Sequence, residues 1–233
     1  MLHLLYARFI AMAMHDAGLL DFEEPFKRFR ANGTITLNGE KISKSKGNVV
    51  NPDDYITRYG ADALRVYLMF MGPYELGGDF SDRGIAGVVR FLERIWRLGS
   101  ERGPTLSAAS PQAEARRALH QVIRKVGDDT AALKYNTAIA ELMRYSGELA
   151  ERSDITREEA QTLLRLLAPY APYLTEELWR QVGGEGFIHQ QPWPEANAEA
   201  MRAATATVIG QVDGKLRARL ALPAAATRDE PLK

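Results

Sequence analysis

The sequence predicts a mainly α chain: a helical bundle, with a short mixed stretch before it and the start of a small β-containing domain after it. Three observations carry this. Between Gly84 and Gly183, long segments place apolar residues three and four apart, the period of one buried helical face. Those segments are joined by modest loops, as antiparallel helices in a bundle are. Near the end, Thr207 to Val212 and Lys215 to Leu222 read as strands around Asp213-Gly214, a pair suited to a tight hairpin because both residues tolerate positive φ.

Element by element, Leu2, Leu5, Tyr6, Phe9, Ile10, Ala13 and Met14 share one face of a helix over residues 1–17, spaced as on a buried face, expected to be sticky or partly unfolded for want of a partner, and to stop at Gly18. Phe22, Phe26 and Phe29 among charges predict a short amphipathic helix from Pro25, ended by Gly33. Thr34 to Leu37 is β-branched and alternating, hence a strand. Pro52 to Tyr59 reads as a short helix closed by Gly60, and Asp62 is expected to cap the next one, which Gly72-Pro73 ends. Residues 77–84 read as a turn-rich connector. A long helix then turns Val88, Val89, Leu92, Ile95, Trp96 and Leu98 inward, Trp96 being better explained as a core aromatic than as a stacking platform. Residues 99–112 read as a loop.

Three further helices follow. One carries Leu119, Val122, Ile123 and Val126; the next carries Ala132, Tyr135, Ile139, Leu142, Met143 and Leu149. The third opens on Thr156-Arg157-Glu158-Glu159, a capping box. Pro169 and Pro172 predict a restart before Thr175, and Gly183-Gly184 a stop. Pro192-Trp193-Pro194 forbids helix. The final two strands alone are marginal, so they read as the beginning of a further domain.

Composition sets limits. A chain of 233 residues that is 45% hydrophobic has enough apolar matter for one large or two modest folded domains. Lys plus Arg and Asp plus Glu are both 30, so net charge is zero; RNA binding would then depend on a local basic patch. Arginines 90, 94, 97, 116, 117, 124, 144 and 152 are candidates for such a patch, against the ordinary reading of solvated or salt-bridged residues. Cysteine is absent, which removes disulfides and thiolate metal sites and is compatible with a reducing cytoplasm. No apolar run approaches the ~20 residues that span a membrane.

The chemistry concentrates in Lys41-Ile42-Ser43-Lys44-Ser45-Lys46-Gly47-Asn48. Asn38-Gly39 precedes it as a turn signal. Asn51-Pro52-Asp53-Asp54 follows it with a helix cap, a first-position proline and two acids at the positive helix end. The lysines therefore lie on a held loop from which ammonium groups can reach a polyphosphate. The pattern is not the Gly-x-x-x-x-Gly-Lys-Ser/Thr phosphate loop.

Lys41-Ile42-Ser43-Lys44-Ser45 closely resembles the KMSKS signature of class I aminoacyl-tRNA synthetases, with Ile42 where methionine is usual. The likeness continues through Lys46-Gly47-Asn48-Val49-Val50-Asn51-Pro52 and Tyr59-Gly60-Ala61-Asp62-Ala63-Leu64-Arg65. Leu2-His3-Leu4-Leu5-Tyr6-Ala7-Arg8-Phe9, Met69-Phe70-Met71-Gly72-Pro73, Arg90-Phe91-Leu92-Glu93-Arg94-Ile95-Trp96, the Ala168 to Trp179 run and Val212-Asp213-Gly214-Lys215-Leu216-Arg217 are most similar to the leucyl-tRNA synthetase family.

That resemblance implies a layout. Residues 1–50 would be the end of a Rossmann-type catalytic domain with the KMSKS-like loop, and 51–85 a connecting region. Residues 86–200 would be a helical anticodon-binding domain, and 201–233 the start of a β-containing C-terminal domain. It implies ATP with Mg²⁺, leucine and tRNA(Leu) as partners, in the cytoplasm and without a membrane. Lys41 and Lys44 would be catalytic, Lys44 foremost. Lys41, Ile42, Ser43, Lys44 and Ser45 would together bind ATP, and no metal-binding residue is assigned. The family also needs a HIGH signature, which this sequence lacks, so the chain is expected to be a C-terminal fragment that is inactive alone. Two alternatives stay open: a non-catalytic tRNA-binding module, and a fragment of an isoleucyl, valyl or methionyl enzyme.

Overall fold

The computed structural model describes residues 2–202, together with the backbone of 205–212 and 215–223. Helix α1 (Leu2–Asp16) ends as expected: the Gly18 amide donates to the His15 carbonyl at 2.8 Å and the Leu19 amide to the Met14 carbonyl at 2.8 Å. Its apolar face has the spacing of a buried one but lies open. Ala11 is its buried residue, whereas Leu5 is 63% and Phe9 67% exposed. Residues 20–31 depart from expectation, forming bends rather than a helix. A short helix is stable only when its apolar face is packed, and Phe29 here remains exposed.

The lysine stretch sits on a small sheet. Strand β1 (Thr34–Leu37) turns through Asn38 and Gly39 into β2 (Glu40–Lys41), with Thr36 opposite Lys41. Both turn residues have positive φ, 54° and 75°, as the Asn-Gly pair foretells. A 3₁₀ turn, Lys44–Lys46, follows. Helix α2 (Pro52–Tyr59) starts on the Asn51 side chain, which accepts from the Asp53 amide at 3.2 Å. Helix α3 (Ala61–Phe70) begins at once after Gly60.

The expected connector at 77–84 contains a third strand instead, β3 (Gly77–Phe80). It pairs in parallel with β1, Thr34 opposite Gly77 and Leu37 opposite Phe80, giving the order β2-β1-β3. The two backbones meet so closely that a Cβ on Gly33 would lie 1.9 Å from the Gly77 nitrogen. This is why glycine stands where the sequence alone suggested a loop.

Helix α4 (Asp82–Arg102) runs four residues into the expected loop. Then come α5 (Ala113–Ala131), α6 (Tyr135–Glu151), α7 (Arg157–Leu167) and α8 (Pro172–Gln181). Leu133, at φ 60°, breaks the chain before α6, which therefore starts at Tyr135 rather than Ala132. The capping box forms in full. The Glu159 amide donates to Thr156 Oγ1 at 3.3 Å, and the Thr156 amide to Glu159 Oε2 at 2.9 Å.

One core runs through α3 to α8, with Val66, Ile85, Ile95, Leu119, Leu142 and Leu163 among its buried side chains. Trp96, expected in it, is 43% exposed. Helix α3 joins the sheet to the bundle, packing on α4, α6 and α8. Asp62 does not cap its own helix, whose N-cap is Gly60. Its carboxylate accepts instead from the Leu174 amide of α8 at 2.7 Å. Strands β4 (Thr205–Val212) and β5 (Lys215–Pro223) pair antiparallel with a register shift at Gly210/Gln211. The expected turn at Asp213-Gly214 lies outside the described residues.

Candidate functional site

The lysine hairpin is pinned from behind. Asp79 of β3 accepts from Thr36 Oγ1 at 2.6 Å and from the Gly39 amide at 2.8 Å. Those two donors hold its carboxyl below the usual carboxylate range. The distal end is closed by Asn48, whose Oδ1 accepts from the Ser43 amide at 2.8 Å and whose Nδ2 donates to the Lys41 carbonyl at 3.2 Å. The Ser43 and Ser45 hydroxyls share a hydrogen bond at 2.8 Å. Gly47, at φ 68°, ends the 3₁₀ turn. The stretch is thus a shaped segment between two anchors.

Its three ammonium groups are not equivalent. Lys46 pairs with Glu40 at 3.2 Å. Lys41, on β2, and Lys44, on the 3₁₀ turn, are exposed, and among the described residues neither pairs with a carboxylate. Ile42 and Ser43 are half-buried and Ser45 is exposed. The hairpin thus brings together the five expected residues and leaves two uncompensated positive charges on them. A cleft of about 660 Å³ beside it is lined by Asp54, Asp79 and Asp82. The Tyr55 hydroxyl donates to Asp82, and that bond, with burial, pushes Tyr55 up to about 12. Arg83 lines the same cleft, so its acids are partly offset. Among the described residues no group of three His, Cys, Asp or Glu side chains could hold a metal ion.

The arginines on the bundle also divide. Arg144 is held by Glu141 and Glu148, and Arg152 by Asp154 at 2.9 Å and the buried Glu159 at 2.7 Å. Arg117 lies 3.7 Å from Glu114. Arg90, Arg94 and Arg97 of α4, and Arg116 and Arg124 of α5, have no such partner among the described residues. Sequence spacing reaches the three- and four-residue pairs of Arg117 and Arg144 but not those of Arg152, whose carboxylates sit beyond its own helix. It also missed Asp79, whose role depends on a strand pairing across 43 positions.

Residues 112–231 match the family model described as the anticodon-binding domain of tRNA ligase, and residues 5–77 match that of the class I tRNA synthetases (I, L, M and V). A leucine–tRNA ligase of Dehalococcoides mccartyi is 43% identical over 237 residues, covering 98% of this chain and 29% of the relative. That of Fervidobacterium nodosum is 40% identical over 247 residues, covering 98% and 30%. The agnB2 LeuRS of Agrobacterium radiobacter K84, solved in a ternary complex with tRNA and LeuAMS, superposes with a TM-score of 0.81 at 33% identity, over 97% of this chain and 32% of that one. The chain spans just under a third of the length of the curated relatives it matches. With over half its length in the anticodon-binding match and its lysine hairpin inside the synthetase match, the chain belongs to the class I tRNA ligases that carry this anticodon-binding domain.

Proposed function

We propose that this chain is the C-terminal part of a cytoplasmic leucine–tRNA ligase, supplying the lysine hairpin for leucine activation and the helical bundle that holds tRNA(Leu). The observation that carries the chemical half is the pair Lys41 and Lys44, exposed and without a carboxylate partner among the described residues on an anchored hairpin, while Lys46 pairs with Glu40.

In this reading the leucine carboxylate attacks the α-phosphorus of ATP. The bond from that phosphorus to the bridging oxygen breaks, and pyrophosphate leaves with the negative charge. Lys44 and Lys41 stabilise the charge as it grows, which lowers the barrier more than it tightens substrate binding. Ser43 and Ser45, hydrogen-bonded to each other, hold the hairpin's shape and present hydroxyls to the nucleotide. Ile42 anchors the strand end. Mg²⁺ arrives on the phosphates of ATP. A ribose hydroxyl of the tRNA's terminal adenosine then attacks the leucyl carbonyl, and AMP leaves. Residues 1–50 act as the end of the catalytic domain, 51–85 as the connector, 86–200 as the tRNA-binding bundle and 201–233 as the start of the last domain.

The test is leucine-dependent ATP–pyrophosphate exchange by the chain alone, and by the chain mixed with an upstream synthetase half that carries the HIGH signature. Exchange is expected only in the mixture, and Lys44→Ala should lower it by about a hundredfold without changing tRNA affinity. Halves that demonstrably associate but give no exchange would leave a tRNA-binding module as the better account.

A further inference from the structure

We propose that Asn48 is a positioning residue for the lysine hairpin: its carboxamide takes the place of a neighbouring strand and fixes Lys41 relative to Lys44 for the departure of pyrophosphate. This rests on the reading of Lys41 and Lys44 as the charge-stabilising pair and adds the residue that sets their spacing.

The order β2-β1-β3 leaves β2 at an edge of its sheet. In a two-residue turn the flanking residues, here Leu37 and Glu40, are the hydrogen-bonded pair. The next pair, Thr36 and Lys41, therefore directs the Lys41 peptide groups away from β1. Two residues on, Ser43 is extended, at φ −153° and ψ 138°, and its amide faces the same side as the Lys41 carbonyl. A neighbouring strand would offer that edge one donor and one acceptor. Asn48 offers both from one half-buried side chain. Its Nδ2 donates to the Lys41 carbonyl at 3.2 Å, and its Oδ1 accepts from the Ser43 amide at 2.8 Å. Gly47, at φ 68°, turns the chain back so that Asn48 arrives alongside.

This clasp brackets Ile42 and ends at the residue before Lys44. The other ties do less for that spacing. The Ser43 and Ser45 hydroxyls bond to each other within the turn. The Lys46 and Glu40 pair, at 3.2 Å, is exposed on both sides and so contributes little. The Asp79 bonds hold Thr36 and Gly39, on the far side of Lys41 from the 3₁₀ turn. Charges stabilise a departing group best when they are already in place, and misplacement by about 1 Å is costly. The chemistry at position 48 is also specific. Aspartate has the same shape but no donor, and it sets an oxygen against the Lys41 carbonyl. Glutamine is a methylene longer than the gap.

Two readouts test this. Amide hydrogen exchange is followed at Ser43 in the whole 233-residue chain and in its Asn48→Asp and Asn48→Ala variants. Ser43 is expected to be protected in the unaltered chain and unprotected in both variants. The thermal melt of the bundle should not move, because Asn48 lies outside the core. Free exchange at Ser43 in the unaltered chain, or protection kept in both variants, overturns the clasp. Leucine-dependent ATP–pyrophosphate exchange with the upstream half added then reads the consequence. Each variant should lower kcat by about ten- to a hundredfold with KM for leucine unchanged. A role limited to filling space would spare Asn48→Asp, so full activity in that variant overturns the proposal. Joining Asn48→Ala to Lys44→Ala should cost little more than Lys44→Ala alone, since Asn48 acts through the lysines. Losses that multiply overturn the positioning role. No exchange by the unaltered mixture overturns the catalytic half of the proposed function and this inference with it, whereas exchange that the variants leave intact overturns this inference alone.

Discussion

The Asp62 carboxylate of α3 accepts the Leu174 amide of α8 at 2.7 Å, across 112 positions of sequence. The Tyr173 amide points at its other oxygen at 3.5 Å. These are free donors of the first turn of α8, whose own N-cap, Ala171, has no side chain to offer. One helix is thus capped by another, with negative charge at its positive end. Arg65, one turn further along α3, adds a bond to the Pro169 carbonyl at 3.1 Å. Asp62→Ala is expected to cost about 1–2 kcal/mol in denaturant unfolding, and Asp62→Asn less, because the amide oxygen can still accept. Equal losses in the two variants would reject the capping account.

Arg152 and Glu159 form a second long-reach pair. Glu159 is fully buried; one oxygen takes Arg152 and the other takes the Thr156 amide and hydroxyl. Arg152→Ala strands a carboxylate in the interior and should destabilise the fold by about 3 kcal/mol. Arg144→Ala removes two partners from an exposed surface and should cost less than about 1 kcal/mol. Comparing the two melts under one condition measures the difference directly.

Two aspartates pull the acid limb of stability in opposite senses. Burial works against Asp129, but Lys125 at 2.7 Å and Thr137 at 2.7 Å overcome it and hold its carboxyl below the ordinary value. Its contribution is present above an unfolded pKa of about 3.9 and is lost as pH falls through the folded value. Burial raises Asp62 despite its two amide donors. There the native state binds the proton more tightly, so the contribution grows as pH falls from the folded value towards the unfolded one. Asp129→Asn should flatten the loss of stability in acid, and Asp62→Asn should steepen it, in urea titrations from pH 6 to pH 3.

The face of α1 carries Leu5 and Phe9, four residues apart and both more than half exposed. An uncovered patch of this kind promotes association. Sedimentation of the chain should show concentration-dependent self-association. The double change Leu5→Glu and Phe9→Glu should suppress it while leaving the thermal melt of the bundle in place. A monomer at all concentrations would count against it.

What the sequence revealed and what it hid divide along a physical line. Signals that act within a few residues were legible: the Asn38-Gly39 turn, the Asn51 cap, the Thr156/Glu159 box and the restart at Pro172 all form. Features that need a distant partner were not. Gly77–Phe80 has little strand propensity of its own and is a strand because β1 lies beside it. Asp62 looked like a local cap and serves a distant one. The phenylalanines at 22, 26 and 29 have helical spacing, yet Phe22 and Phe29 stay exposed and, among the described residues, only Phe26 meets an aromatic neighbour, His3. Trp96 fits the buried period of α4 but falls at its edge, where the helix meets open space. Of the candidate site, the residues were legible and the inequality of their charges was not, because it turns on Glu40 folding back to Lys46.

The attachment of the lysine hairpin through Asp79 has a mechanical consequence. Strand β3 leads directly into α4, and the hairpin hangs on β3 by two hydrogen bonds and a parallel pairing. Helix α4 is also the long strut on which α8 packs. The hairpin and the bundle therefore share one rigid element, α4, as their common support. That attachment ties the position of Lys41 and Lys44 to α4 through Thr36, Gly39 and Asp79.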